Sequence, residues 1–159
     1  MNIRYLPLTI LAISIIILTA LLFIRLPGPE YFNATCRAFM DYRGVVGNDG
    51  FDFYGDVSFF FNDNKTGGYY ISGTINDNSG SYAISRLVSF NYRYKQKEEY
   101  VFSPVSVEKS VHDDVSDKIY ERLKRMLPLA QSVSIRVGGN SNYLVFSNAV
   151  SPFFICVSL

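Results

Sequence analysis

Two hydrophobic patterns divide the chain. From Tyr5 to Ile24 the residues YLPLTILAISIIILTALLFI form one apolar run, bounded by Arg4 and Arg25 with no charge between them. About 20 apolar residues at roughly 1.5 Å rise match the hydrocarbon thickness of a bilayer. The run predicts a transmembrane helix over 5–26, after a short tail at 1–4. Thr9, Ser14 and Thr19 can bond back to helix carbonyls, and Pro7 falls in the first turn, where its missing N–H costs little. A cleaved signal peptide is the alternative, but its apolar core spans only about 7–15 residues. Pro27-Gly28-Pro29 ends the helix and makes a stiff spacer over 27–30.

From Tyr31 the pattern changes to alternation, which predicts strands. Over 31–43, Phe32, Ala34, Cys36, Ala38 and Met40 share one face. Over 51–61, Val57, Phe59 and Phe61 oppose Ser58 and Phe60. Over 69–75, Tyr69, Ile71, Gly73 and Ile75 align. The longest alternation, 81–95, puts Tyr82, Ile84, Arg86, Val88, Phe90, Tyr92 and Tyr94 on one face. Turns rich in Asn, Asp and Gly at 62–68 and 76–80, and a charged turn at 95–99, mark an antiparallel meander. A strand at 100–107 carries Pro104, the sign of an edge or a bulge. Three shorter strands follow at 132–137, 143–146 and 153–157.

One soluble helix interrupts them. Residues 115–127 place Val115, Ile119, Leu123, Met126 and Leu127 on one stripe, with Asp113 or Asp114 as the expected cap and Pro128 as the stop. Glu121 and Arg125 stand at i,i+4 spacing on the wet face. The predicted fold class is α+β: a single N-terminal transmembrane helix, then a β-rich antiparallel meander or partial barrel over 31–159 with one packed helix.

Composition narrows the functional classes. The 159 residues include 13 Phe and 12 Tyr but no Trp. After Pro27 there are 13 basic against 14 acidic residues, a formal charge of −1. A near-neutral domain has no electrostatic footprint for nucleic acid. The two cysteines, Cys36 and Cys156, flank the soluble part. In an oxidising compartment they are expected to bond; in a cytosolic domain they would be two unrelated buried thiols. The short tail and the cysteines favour the first case, with the N-terminus cytoplasmic and residues 31–159 outside.

Catalysis finds little support. His112 is the only histidine, no Cys/His cluster has metal-ligand spacing, and no phosphate-binding glycine loop is present. The chain is read as a non-enzyme without a cofactor. A pilin is discounted, because neither Gly nor Glu occurs before Gly28. Arg86 is singled out because it sits in phase with apolar residues and a buried guanidinium needs a partner. It serves either an internal salt bridge or a sheet edge, or it holds an anion in an aromatic-lined cavity with Phe59, Phe61, Phe90 and Tyr92.

The arrangement resembles a known family. A membrane helix is followed by a nearby Cys, then by Ser72-Gly73-Thr74-Ile75 with Asp77 and Gly80. Next come Tyr82-Ala83-Ile84-Ser85-Arg86 and a terminal Ser151-Pro152-Phe153-Phe154-Ile155-Cys156. This is similar to the FidL-like membrane proteins of enteric bacteria, whose layout resembles that of ToxS- and VtrC-type accessory proteins. The resemblance implies a bitopic inner-membrane accessory or co-sensor with a calycin-like periplasmic domain. It implies a heterodimer with a ToxR-like membrane-bound transcriptional regulator, sharing a cavity for bile-salt-like amphipathic anions. Signal transduction in virulence regulation would then pass through that partner, with the bilayer held by residues 5–24. The alternative is a structural envelope subunit that binds no ligand.

Overall fold

A computed structural model describes residues 11–19, 33–46, 49–127 and 132–159. Two compact units emerge, Met1–Glu30 and Tyr31–Leu159. In the first, residues 11–19 form helix α1. Thr19 Oγ1 donates to the carbonyls of Ile15 and Ile16, both at 2.9 Å, so its hydroxyl is absorbed by the helix. The rest of the predicted 5–26 span lies outside the described residues. Among the described residues no helix is long and apolar enough to cross a membrane.

The second unit is mostly strand, with one helix. Its elements are β1 (Ala34–Val46), β2 (Asp49–Phe61), β3 (Thr66–Asp77), β4 (Gly80–Gln96), β5 (Glu99–Lys109), α2 (Asp117–Met126), β6 (Val133–Asn140), β7 (Tyr143–Ser147) and β8 (Pro152–Ser158). Every strand pairs antiparallel with its sequence neighbour, and β8 returns to β1, giving a closed eight-stranded barrel. This corrects the α+β expectation of a partial barrel. The meander does not stop at an open edge. Pairing of β5 with β6 at Glu99↔Arg136 to Phe102↔Val133 and of β1 with β8 at Cys36↔Ser158 and Arg37↔Val157 closes it. Closure removes the exposed edge that an open sheet would leave.

The predicted inward faces hold. Val57, Phe59, Phe61, Tyr69, Ile71, Ile75, Ile84, Val88, Phe90 and Tyr92 are all buried. Turn chemistry fixes the long ladder. Lys65, Lys97 and Glu98 take positive φ, and Asp77 Oδ1 accepts from Ser79 N at 2.8 Å to close the β3–β4 hairpin. Pro104 marks a register shift: Ser89 pairs with Ser106 but Phe90 with Pro104, which leaves Val105 as the extra residue of a bulge.

Two details of α2 differ from expectation. Its N-cap is Ser116, whose Oγ accepts from Ile119 N, rather than Asp113 or Asp114. Both aspartates are used by β4 instead, and one cap suffices for a helix start. On the wet face Glu121 pairs with Lys124, one residue nearer than Arg125.

Candidate functional site

The barrel interior has an apolar layer and a polar one. In the apolar layer Phe59 stacks on Phe146 at 5.0 Å, Phe61 meets Phe90 at 5.8 Å and Tyr92 at 5.7 Å, and Phe90 meets Phe102 at 5.2 Å. Phe59, Phe61, Phe90 and Tyr92, singled out from sequence, are thus brought together, each at most 2% exposed. The rings fill the space between them with edge-to-face and stacked contacts. Tyr92 keeps its hydroxyl paired by donating to the Asn62 carbonyl at 2.6 Å.

Arg86 anchors the polar layer. Its Nε donates to Asp113 Oδ2 at 2.8 Å, and its Nη2 donates to Asp113 Oδ1 at 3.2 Å and to the Val115 carbonyl at 2.8 Å. The guanidinium carbon sits 4.0 Å from the centre of the Tyr120 ring. Lys109 Nζ approaches Asp113 Oδ1 at 3.5 Å and donates to the Val115 carbonyl at 2.9 Å. Asp113 also accepts from the backbone N–H of Ser85 at 3.0 Å and of Val115 at 3.1 Å. Burial opposes its ionisation, yet the hydrogen bonds from Arg86 and Ser85 and the charges of Arg86 and Lys109 hold the carboxyl below the usual range.

This cluster sews the 113–116 loop to β4, since Asp114 Oδ1 also accepts from Ala83 N at 2.7 Å. It therefore fixes the start of α2. Farther along, Arg122 reaches Asp77 at 3.6 Å and lies over the Phe51 ring at 5.0 Å. Between α2 and the β3–β4 hairpin is a cleft of about 420 Å³, lined by residues that include Tyr82, Ser116, Lys118 and Ile119. The Asp77 carboxyl beside it is held low, first by the Ser79 hydroxyl that donates to it.

Cys36 and Cys156 are disulfide-bonded across the β1–β8 seam, with Cα atoms 5.4 Å apart and both residues fully buried. Leu159 N donates to the Thr35 carbonyl beside them at 3.0 Å. His112 is exposed in the loop ahead of the cluster. Among the described residues no group of acidic, His or Cys side chains is placed to hold a metal.

The sequence pattern alone does not single out Asp113 and Tyr120 as members of this cluster. For Asp113 a signal existed: two aspartates and a serine precede one helix, and only one can cap it. Tyr120 continues the buried stripe at three- and four-residue spacing with Leu123 and Leu127.

The comparisons with known proteins agree with the sequence motifs. No curated protein matches the chain. The family model described as FidL-like putative membrane protein matches residues 73–156, which run from the β3 glycine through Arg86 and Asp113 to the disulfide cysteine of β8. That match covers more than half of the sequence, and the chain belongs to the FidL-like family.

Proposed function

We propose that the protein is a non-catalytic accessory subunit of the bacterial inner membrane. The apolar segment 5–24 meets the lipid, and the barrel stands on the periplasmic side. There it pairs with the periplasmic domain of a ToxR-like membrane-bound transcriptional regulator and holds a bile-salt-like amphipathic anion. No cofactor takes part. The disulfide supports the compartment, because such bonds persist where the surroundings are oxidising.

One observation carries the pairing. Phe39 and Tyr54 are more than half exposed on the outside of β1 and β2, with their rings 4.8 Å apart. Ile155 and Val157, both 59% exposed, continue the strip on β8, where Val157 pairs with Arg37 two residues from Phe39. Exposed apolar residues on three adjacent strands, set around the Arg37–Asp56 pair, suit a mixed apolar and charged interaction surface.

Co-expression of the full chain with the regulator, followed by detergent extraction, tests this. The pair should co-purify at micromolar concentration, and Phe39→Asp with Ile155→Asp should release it. Separate elution of the unmutated pair would sink the proposal. The packed aromatic layer favours a second reading, a structural envelope subunit with no ligand. A sodium deoxycholate titration of the complex without a saturable signal would select it.

A further inference from the structure

Closure removes the edge at the seams but not along the whole of β1. The β8 ladder covers only Cys36 and Arg37. Leu159 N donates to the Thr35 carbonyl and sets the phase. Antiparallel strands turn alternate residues to opposite neighbours, so Thr35, Arg37, Phe39, Asp41 and Arg43 direct their backbone groups away from β2. Past Arg37, the residues Phe39, Asp41 and Arg43 make no backbone hydrogen bond on that side among the described residues. Their side chains lie on the outer face, and those of Asp41 and Arg43 are 44% and 79% exposed.

A second stretch is open in the same way, since β6 covers β5 only as far as Phe102. There the chain blunts its own edge. Pro104 has no N–H to offer, Val105 is the bulge residue, and Lys109 places a charge at the end. The β1 ladder to β2 has neither a bulge nor a proline, and it runs from Ala34↔Phe61 to Val46↔Asp49 without a register shift. The two charges on its free stretch, Asp41 and Arg43, have opposite sign and stand two residues apart on one face. Within the chain they form only an exposed pair at 3.4 Å, which water screens. Asp52, the ladder partner of Arg43 on β2, is the third charge there.

We infer that the free edge of β1 pairs with the same edge of a second copy of this chain, antiparallel about a twofold axis at Tyr42. Only registers that oppose odd residues to odd residues join the free backbone groups. Centred on Asp41 or on Arg43, such a register sets like charges face to face, which is unfavourable. Centred on Met40, it needs Arg37, which β8 already holds. Centred on Tyr42, it sets Asp41 of each copy against Arg43 of the other, and each of these two pairs exchanges main-chain hydrogen bonds. Arg43 then lies between Asp52 of its own chain and Asp41 of the second copy. The edge is self-complementary, as a twofold interface must be. The inference goes beyond the reading above, and its test needs no regulator.

Sedimentation equilibrium of the full chain in detergent reads the association. A concentration-dependent dimer is expected. Asp41→Arg and Arg43→Asp should each weaken it about tenfold or more, because each sets like charges opposite at both pairs. An equal mixture of the two variants should recover the dimer, since opposite charges again face each other across the axis. Misfolded chains would not recover on mixing, so the mixture separates the effect of charge from loss of the fold. The inference is overturned if the unmutated chain stays monomeric, if either reversal leaves the dimer unchanged, or if the mixture associates as weakly as its components.

Discussion

The barrel has two unequal walls. From β1 to β5 the ladders run almost without interruption, as from Ala34↔Phe61 to Val46↔Asp49 and from Thr66↔Asn91 to Asp77↔Gly80. The β2–β3, β3–β4 and β4–β5 hairpins close through short local turns. The β6–β8 wall is built from strands of 8, 5 and 7 residues, and it joins the long wall through four register pairs at one seam and two at the other. The long wall is held by its own hydrogen bonds and alternation. The short wall depends on what crosses the seams, namely the Cys36–Cys156 bond and the Phe59–Phe146 and Phe59–Phe154 ring contacts. Local order is therefore secured by sequence neighbours, and closure by a few distant contacts.

The sharpest way to break the long wall is from inside. Asp113→Ala leaves Arg86 buried without its partner, and we expect a loss of about 3–5 kcal/mol. Thermal unfolding should show it, while Arg86→Met combined with Asp113→Leu should recover most of the loss. Acid should act on the same pair. With its carboxyl held low, Asp113 binds fewer protons folded than unfolded. Its stabilisation is complete above the ordinary Asp value of about 3.9 and is lost as pH falls through the lower folded value. Tm measured between roughly pH 2 and 6 should fall more steeply for the wild type than for the double variant.

Opening the seam comes next. The disulfide spans a sequence separation of 120 residues. Cys36→Ser with Cys156→Ser should cost about 2–5 kcal/mol. Hydrogen exchange should then rise in β7, β8 and the first residues of β1 while β2–β4 stay protected. Uniform loss of protection would mean that the two walls are one cooperative unit.

A smaller effect tests how closely the long wall is packed. Gly55 and Gly73 face each other across β2 and β3, and a Cβ on Gly73 would run into the Tyr54 carbonyl. Gly73→Ala should cost about 1–3 kcal/mol, read from a denaturant midpoint. The smallest effect belongs to the exterior. Arg37 pairs with Asp56 at 2.9 Å on an open surface. Arg37→Ala should leave Tm unchanged within error, because water and salt screen such pairs.

Much of this molecule is legible in its residues. Alternation placed the inward faces of the first four strands, including Arg86, and Pro104 announced the bulge beside Phe90. The two cysteines could be read as a pair because they flank one domain. These features follow from local rules: a side-chain period of two, turn residues that accept positive φ, and an imino acid that cannot donate.

What the sequence left open was decided by contacts between distant residues. Nothing in 99–102 or 133–136 names the other as its partner, so a closed barrel and a partial one have the same alternation. Asp113 had the spacing of a cap, but a buried guanidinium twenty-seven residues away holds it more strongly than a helix start that Ser116 already satisfies. Tyr120 has the spacing of an ordinary stripe residue, and only the packed chain sets its ring 4.0 Å from the Arg86 guanidinium. Periodicity specifies which side of an element is buried. Only the closed chain specifies which element it is buried against, and that choice determined both the seam and the site.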